Sequence, residues 1–370
     1  MKSDNQTGSG AKTESVVACI KGDDKYKVLQ EVIKHSNFFN DIEDCFKKSG
    51  KDKDKFKVVI KPNFMVFLTK KDPSNFTDPQ MVDFLVEKLL ENGFSDIYVV
   101  ESQNVLGQWY ENRDVATVAS ACGYINKNYK LVDLTLDAVP HKFDGVLGHH
   151  FVGKTWKYAD YRISFAKNKC HGANKYTLVA KNIFGVTTCE NKYYEYHKLK
   201  EWDTTTVDMI KAFPVHFGFI DAFYSADGAF GFRGDDKPKY TKTILGGKDM
   251  LAVDWVGAEK MGLNPMESVL MDKLVKEFGK PRFKLYGTDE LYEDWDNIPP
   301  LFDKFDDAIE ESYCVHSFLT HLIMFEPEPI FKEKNAEFFR YTRRILRLDP
   351  AYQNWFTNLI KKAGRFFGLQ

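Results

Sequence analysis

An α/β fold is predicted for this chain: a mostly parallel sheet flanked by helices, two-layered, with an irregular α+β middle region and a helical C-terminal extension. Three observations carry the prediction. Residues 56–61 and 97–100 are short apolar runs of the kind buried on both faces of a sheet. Between them Val82, Leu85, Val86, Leu89 and Leu90 recur at helical spacing. The joints are short, as in a right-handed strand–helix–strand unit.

Taken in order, residues 16–20 predict a first strand and 26–39 a helix. Thr77-Asp78 offers an N-cap, Pro79 suits the first helical turn and Gly93 supplies the stop. Residues 160–165 predict a strand that opens into 166–171, and 174–184 a helix closed by Gly185. Strands over 215–223 and 240–245 are followed by helices over 249–261 and 265–278, with Gly262 between them. The expected division is a disordered tail over 1–14, an α/β domain over 15–280 (whole, or as lobes 15–138 and 139–280) and an extension over 281–370.

Hydrophobic residues make up 43% and charged residues 28%, an ordinary globular balance. A net charge of −1 gives no global pull toward nucleic acid, and no nucleic-acid partner is expected. No apolar run reaches the roughly 20 residues of a membrane span. Cys19, Cys45, Cys122, Cys170, Cys189 and Cys314 form no C-x-x-C pair, so no iron–sulfur cluster is expected and a reduced, cytoplasmic setting fits.

Between residues 330 and 370, nine Lys/Arg face three Asp/Glu. Asp349-Pro350 opens a helical pattern in which Trp355, Phe356, Leu359, Ile360, Phe366 and Phe367 share a face opposite Lys361, Lys362 and Arg365. Such a helix suits an anionic membrane surface. Packing on the body or on a second copy of the chain is the more ordinary use of the same pattern, so 331–370 is the expected region of peripheral membrane or homo-oligomer contact.

Ligands in open parallel sheets bind outside the carboxyl ends of the strands. Lys61 and Asn63 end one predicted strand, Glu101 and Ser102 another, and Lys167 a third, so these polar groups converge if the strands are neighbours. Lys167, Lys169 and His171 place two ammonium groups and an imidazole within five residues, and Lys181-Asn182 repeats the theme. The expected roles are catalytic for His171, Lys167 and Lys61, and substrate-binding for Asn63, Lys169, Lys181, Asn182, Glu101 and Ser102. Asp221, Asp227 and Asp254 are candidate ligands for a divalent cation. The bland alternative at each position is a solvated strand end, a structural histidine or a helix-capping aspartate.

Residues 148–155, GHHFVGKT, satisfy the phosphate-loop formula G-x-x-x-x-G-K-[ST]. That loop needs a buried strand before it and a helix N-terminus after it. Here 140–145 are too polar for a central strand and 156–165 read as extended. Gly228, Gly231 and Gly234 punctuate a glycine-rich loop able to approach an anion through its N–H groups.

Taken together, the ordered motifs resemble the bacterial and archaeal domain of unknown function 362 family. The resemblance rests on IKPNF (60–64), TDPQMVDFLVEKLLENGF (77–94), VVES (99–102), ISFAKNKCH (163–171), LVAKNIFG (178–185), IDAFYSADG (220–228) and ILGGKDMLAVDWVGAEKMG (244–262). It implies an α/β fold and marks Lys61, Asn63, Lys167, Lys169, His171, Lys181, Asn182, Asp221 and Asp254 as motif positions; it brings no established reaction. Many members carry cysteine-rich ferredoxin-like modules, which this sequence does not show. Where the family loop continues toward Gly-Pro, this sequence has Ala229-Phe230.

The expectation is an enzyme for a small anionic substrate, carboxylate or phosphate, bound in a Lys/Asn/His-lined cleft at the sheet edge. A non-catalytic ligand-binding or membrane-surface protein is the second reading, and a phosphate-loop hydrolase the third.

Overall fold

The computed structural model describes residues 14–172, 174–228, 238–298, 300, 304, 308, 311–323 and 327–345. Residues 1–13 of the expected tail over 1–14, most of the glycine-rich loop and the amphipathic segment from Asp349 lie outside them.

The parallel half of the sheet is built from β2 (Val58–Lys61), β3 (Ile97–Glu101), β4 (Lys130–Asp133), β7 (Tyr161–His171) and β9 (Phe217–Ala226). They lie in the order β9-β7-β2-β3-β4, with every neighbouring pair parallel. Beyond β9 come β10 (Thr243–Gly247) and β1 (Ser15–Lys21), each paired antiparallel to its predecessor, and β11 (Phe283–Gly287), which runs parallel to β1. A short β8 (Lys175–Thr177) folds back on β7. One sheet therefore takes strands from either side of residue 138, and β11 joins it from beyond residue 280. A separate hairpin pairs β5 (Ala138–Lys142) with β6 (His149–Gly153).

All four residues of β2 are buried, as a strand covered on both faces requires. Val58 and Ile60 enter one core with Phe165 and Phe219, while Val59 enters another with Leu178 and Ile220. The first core is closed by helices Lys25–His35, Pro79–Glu91 and Val115–Cys122; the second by Trp202–Ala212, Met250–Lys260 and Val269–Phe278. Helices thus cover both faces, giving three layers rather than the expected two.

The caps fall where the sequence places them. Asp78 accepts a hydrogen bond from Gln80 N with Pro79 in the first turn, and Gly93 has φ +86° beyond the last turn. The expected single helix over 26–39 is instead two. Asn37 in the left-handed region (φ +57°) separates Lys25–His35 from Phe38–Ser49, a conformation asparagine tolerates.

Two expectations in the middle are corrected. β7 does not end at residue 165 but runs on through His171, so Lys167 lies inside a strand and not at its exit. Residues 174–184 are not one helix. They form β8, a four-residue helix Val179–Asn182 and a 3₁₀ turn Ile183–Val186. Lys175 at φ +65° turns the chain back from β7 into β8, and that pairing covers the polar residues Lys169 and Thr177.

Of the C-terminal part, helix Tyr313–Ile323 lies against Asn191 and Tyr193, with the Tyr193 ring stacked on those of Tyr313 and His316. Phe331 is buried beside Phe67 and under the Arg113 guanidinium. Helix Ala336–Ile345 is tied down by Arg343, which donates to both Glu333 oxygens and to the His321 and Leu322 carbonyls.

Candidate functional site

β2 and β3 end side by side on Lys61 and Glu101, so their side chains leave the sheet at one edge. Lys61 Nζ lies 2.8 Å from Glu101 Oε1 and donates to Pro62 O (2.7 Å) and Asn182 Oδ1 (3.2 Å). Glu101 also accepts from Phe64 N (3.3 Å) and Ser102 N (3.1 Å). Both side chains are almost wholly buried, at 1% and 4% exposure. Burial pushes the Lys61 ammonium below its ordinary range, with Glu101 opposing. Gly185 leaves room beside this pair, since a Cβ there would stand 2.8 Å from Lys61 Nζ.

Asn182 knits the strand ends together. Its amide donates to Lys61 O (2.8 Å) and Ser164 Oγ (3.1 Å), and its carbonyl oxygen accepts from Asn63 Nδ2 (3.2 Å). Ser102 Oγ donates to Gly185 O. Asp254 holds the short helix carrying Lys181 and Asn182 by accepting from Val179 N (2.7 Å) and Ala180 N (2.9 Å). Burial raises the Asp254 carboxyl to about 7, against those two N–H donors.

A second buried ion pair lies deeper. Lys167 Nζ donates to Asp221 Oδ2 at 2.8 Å, with the side chains 1% and 0% exposed. The same oxygen accepts from Asp78 N (2.9 Å), and Oδ1 accepts from Phe223 N (3.1 Å). A bulge interrupts the β7–β9 pairing between Lys167 and Lys169.

Lys169 differs from both of these lysines. Its Nζ donates to two neutral acceptors, Asn63 Oδ1 (3.0 Å) and Asn75 O (3.3 Å). Among the described residues no carboxylate lies within ion-pair distance of it. Burial first, then Lys181, Lys167 and Lys61, lower this amine to about 7, with Glu101 opposing. Three polar atoms on its side of the sheet, all shielded from solvent, have no hydrogen-bond partner among the described residues: Asn75 Oδ1, Thr177 Oγ1 and His171 Nδ1. Thr177 is the cross-strand partner of Lys169, and His171 lies two residues further along β7; both positions share its face.

His171 stands next to an aromatic wall. Lys181 Nζ lies over the rings of Phe184 (4.5 Å) and Trp202 (4.8 Å), and His197 stacks on Trp202. Burial, then Lys181, His197, Lys169 and His316, hold His171 well below the usual histidine range, so its imidazole is neutral at pH 7.

Of the sequence-predicted site residues, Lys61, Asn63, Glu101, Lys169 and Asn182 thus join one hydrogen-bonded network, with Ser102 on its rim. Lys167 is next to it, Lys181 acts on Lys169 through space, and both of these lysines act on His171. Asp221, Asp227 and Asp254 do not form the expected carboxylate set. Asp221 pairs with Lys167, Asp254 caps a helix, and Asp227 accepts from the N–H groups of Gly228, Asp296 and Asn297. Among the described residues no three His, Cys, Asp or Glu are grouped for a metal ion.

Sequence reasoning missed Asn75, Thr177 and Lys192. Lys192 is buried, donates to Gln103 O and Cys189 O, and is lowered to about 8 by burial, with Glu101 opposing. None of the three lies in a periodic pattern; Asn75 sits in a loop, Thr177 in a three-residue strand and Lys192 at the start of the π-helix Tyr193–Lys198.

The phosphate-loop lookalike has the wrong surroundings. Its first part is β6 of the separate hairpin, and the helix after it, Lys154–Lys157, has four residues. The N–H groups of Lys154 and Thr155 that would meet a phosphate are taken by Asp137 O (2.8 Å) and Asp137 Oδ2 (2.6 Å).

Fold and site define an α/β protein with a buried lysine–asparagine network at the carboxyl ends of parallel strands. The chain belongs to the family described as domain of unknown function (DUF362), whose profile matches residues 58–259. No curated protein matches the sequence. Among solved structures, the lactate racemase apoprotein from Thermoanaerobacterium thermosaccharolyticum is similar with a TM-score of 0.41 at 10% identity, over 68% of this chain and 58% of that one. This chain thus spans less than two thirds of that protein. No helix among the described residues is long and apolar enough to cross a membrane.

Proposed function

We propose that the chain is an enzyme acting on a small anionic substrate, with Lys169 as its working amine. The observation that carries this reading is a buried lysine held by two neutral carbonyls, between two lysines that each have a carboxylate. Lys61 and Lys167 spend their charge on Glu101 and Asp221, and so position the strand ends and the loop over 62–78. Lys169 has no carboxylate within ion-pair distance among the described residues, and only Glu101 and Asp72 act on it from further off, so an anion entering beside it meets a charge less neutralised than those of Lys61 and Lys167. An amine near pH 7 also suits proton transfer at neutral pH. Neutral His171 serves as a hydrogen-bonding group to the substrate, with Asn63 and Asn182 orienting Lys169 and Lys61.

The test is anion binding by the full chain, followed by thermal unfolding with sulfate and with acetate, whose charges stay constant from pH 6 to 9. Binding to the ammonium form predicts an affinity that is level below about pH 7. Above it, affinity weakens toward tenfold per pH unit as Lys169 loses its proton. The groups coupled to that amine are Lys181, Lys167, Lys61, Glu101 and Asp72. An affinity independent of pH across this range, or unchanged in Lys169→Met, overturns the reading.

A second reading concerns the C-terminus. Phe338, Tyr341 and Ile345 are exposed along one face of a helix that carries Arg340 and Arg344, and it leads toward the basic segment 349–370. This favours a role at an anionic lipid surface alongside the site chemistry. Flotation with phosphatidylserine vesicles is expected to retain the full chain and lose it when 349–370 are deleted. Equal flotation with neutral phosphatidylcholine vesicles, or none with either, removes the idea.

A further inference from the structure

The sheet ends on β11, and no strand among the described residues pairs with its other side. Four of its five residues are exposed, including Leu285 (36%) and Tyr286 (45%). Its inner side is fixed by two bonds to β1: Arg282 O accepts from Ser15 N (3.1 Å), and Thr288 N donates to Cys19 O (2.8 Å). Backbone groups alternate along a strand, so the even-numbered residues face β1 while Phe283 and Leu285 point their N–H and C=O outward. Such an edge is a template for another strand.

We propose that this edge pairs with β11 of a second copy of the chain, antiparallel about a two-fold axis at Leu285. The charges around the strand select that occupant and that direction. Lys280 and Arg282 precede β11, Asp289 and Glu290 follow it, and all four are exposed. Neither basic residue has an ion-pair partner among the described residues; Lys280 lies over the Trp255 ring (4.7 Å). At the other end Lys21 is shared by Glu290 (3.4 Å) and Glu293 (3.3 Å), which with Asp289 leaves a net negative charge. An antiparallel second copy sets each basic end against an acidic one, whereas a parallel copy would set like against like.

The register follows from the same residues, because outward-facing positions must meet outward-facing ones. With Leu285 opposite Leu285, the two exchange both hydrogen bonds, and Phe283 meets Gly287, which has no side chain to crowd the ring. Lys284 then stands across from Tyr286, a cation beside a half-exposed ring whose other contact is the stacked His35 (3.8 Å). Shifting the register by two residues sets Lys284 against Lys284 in one direction and Phe283 against Asp289 in the other, both unfavourable. A contact of one short strand is small, so the pairing is weak and depends on concentration and salt.

The experiment is sedimentation equilibrium of the full chain over a range of concentrations, at low and high salt. The expected result is a reversible two-chain species, twice 42.8 kDa, that weakens as salt is added. Leu285→Pro removes only an outward N–H, and should leave a monomer that unfolds at a near-wild-type temperature. Leu285→Cys should cross-link to itself on oxidation in a Cys314→Ser background, since Cys314 is exposed. Lys280→Glu with Arg282→Glu, and separately Asp289→Lys with Glu290→Lys, should each give monomers, and mixing the two should restore the two-chain species. That exchange decides the point even if Leu285→Pro fails to fold. A monomer at every concentration, a two-chain species untouched by Leu285→Pro and the charge reversals, or open-ended growth through the other edge strand, β4, overturns the proposal.

Discussion

Lys167→Met is expected to destabilise the protein by about 3–5 kcal/mol, the usual cost of stranding one member of a buried ion pair. Asp221 is wholly buried, and after the substitution its carboxylate keeps only the N–H groups of Asp78 and Phe223. Those two donors do not neutralise a full charge in a dry interior. The damage should spread, since Asp78 caps helix Pro79–Glu91 and loses its anchor if Asp221 moves. Adding Asp221→Asn removes the stranded charge but keeps an acceptor for Asp78 N, and should recover a large part of the loss. Urea midpoints of the two single variants and the double variant decide the matter. Strict additivity would mean that the pair is not coupled as the geometry requires.

Lys169→Met should act in the opposite direction, stabilising the chain by about 0.5–2 kcal/mol while abolishing the effect of added anions, the familiar exchange of stability against function. The sign follows from the lowered amine. In the unfolded chain Lys169 holds its proton to about pH 10.5, in the folded chain only to about 7. Between these limits the unfolded state binds more protons, so folded stability rises with pH. The penalty of burying Lys169 is therefore full below pH 7 and fades toward pH 10.5. The advantage of Lys169→Met should shrink from pH 6.5 to pH 9.5. An advantage that does not change with pH, or a loss of stability like that of Lys167→Met, would show that Lys169 is an ordinary structural lysine.

Two lysines two residues apart on one strand thus carry opposite expectations, and the sequence KNKCH contains no hint of it. What separates them is the partner each meets. Lys167 faces Asp221 from the neighbouring strand, while Lys169 faces Asn63 and Asn75 from a connection nearly a hundred residues earlier. Asn75 and Thr177 were illegible for the same reason. A polar residue in a loop or a short strand reads as solvated until the fold closes over it.

The strand–helix–strand unit over 58–101 and the cap at Asp78 were legible because periodicity and capping are local properties. The polar strand ends Lys61 and Glu101 were legible as well, since ligand sites follow from strand direction in a parallel sheet. Residues 166–171 were misread because polarity was taken for exposure. There, buried pairing satisfies most of the polar groups, Asn168 Oδ1 and His171 Nδ1 excepted, and the strand continues.

By itself the sequence determined the α/β class, one parallel strand–helix–strand unit and the set of Lys, Asn and His residues that make up the candidate site. Only the tertiary structure decided which of those lysines meet a carboxylate at ion-pair distance and which does not. Ion pairing depends on distances of about 3 Å between side chains far apart in the chain, and no local pattern records them.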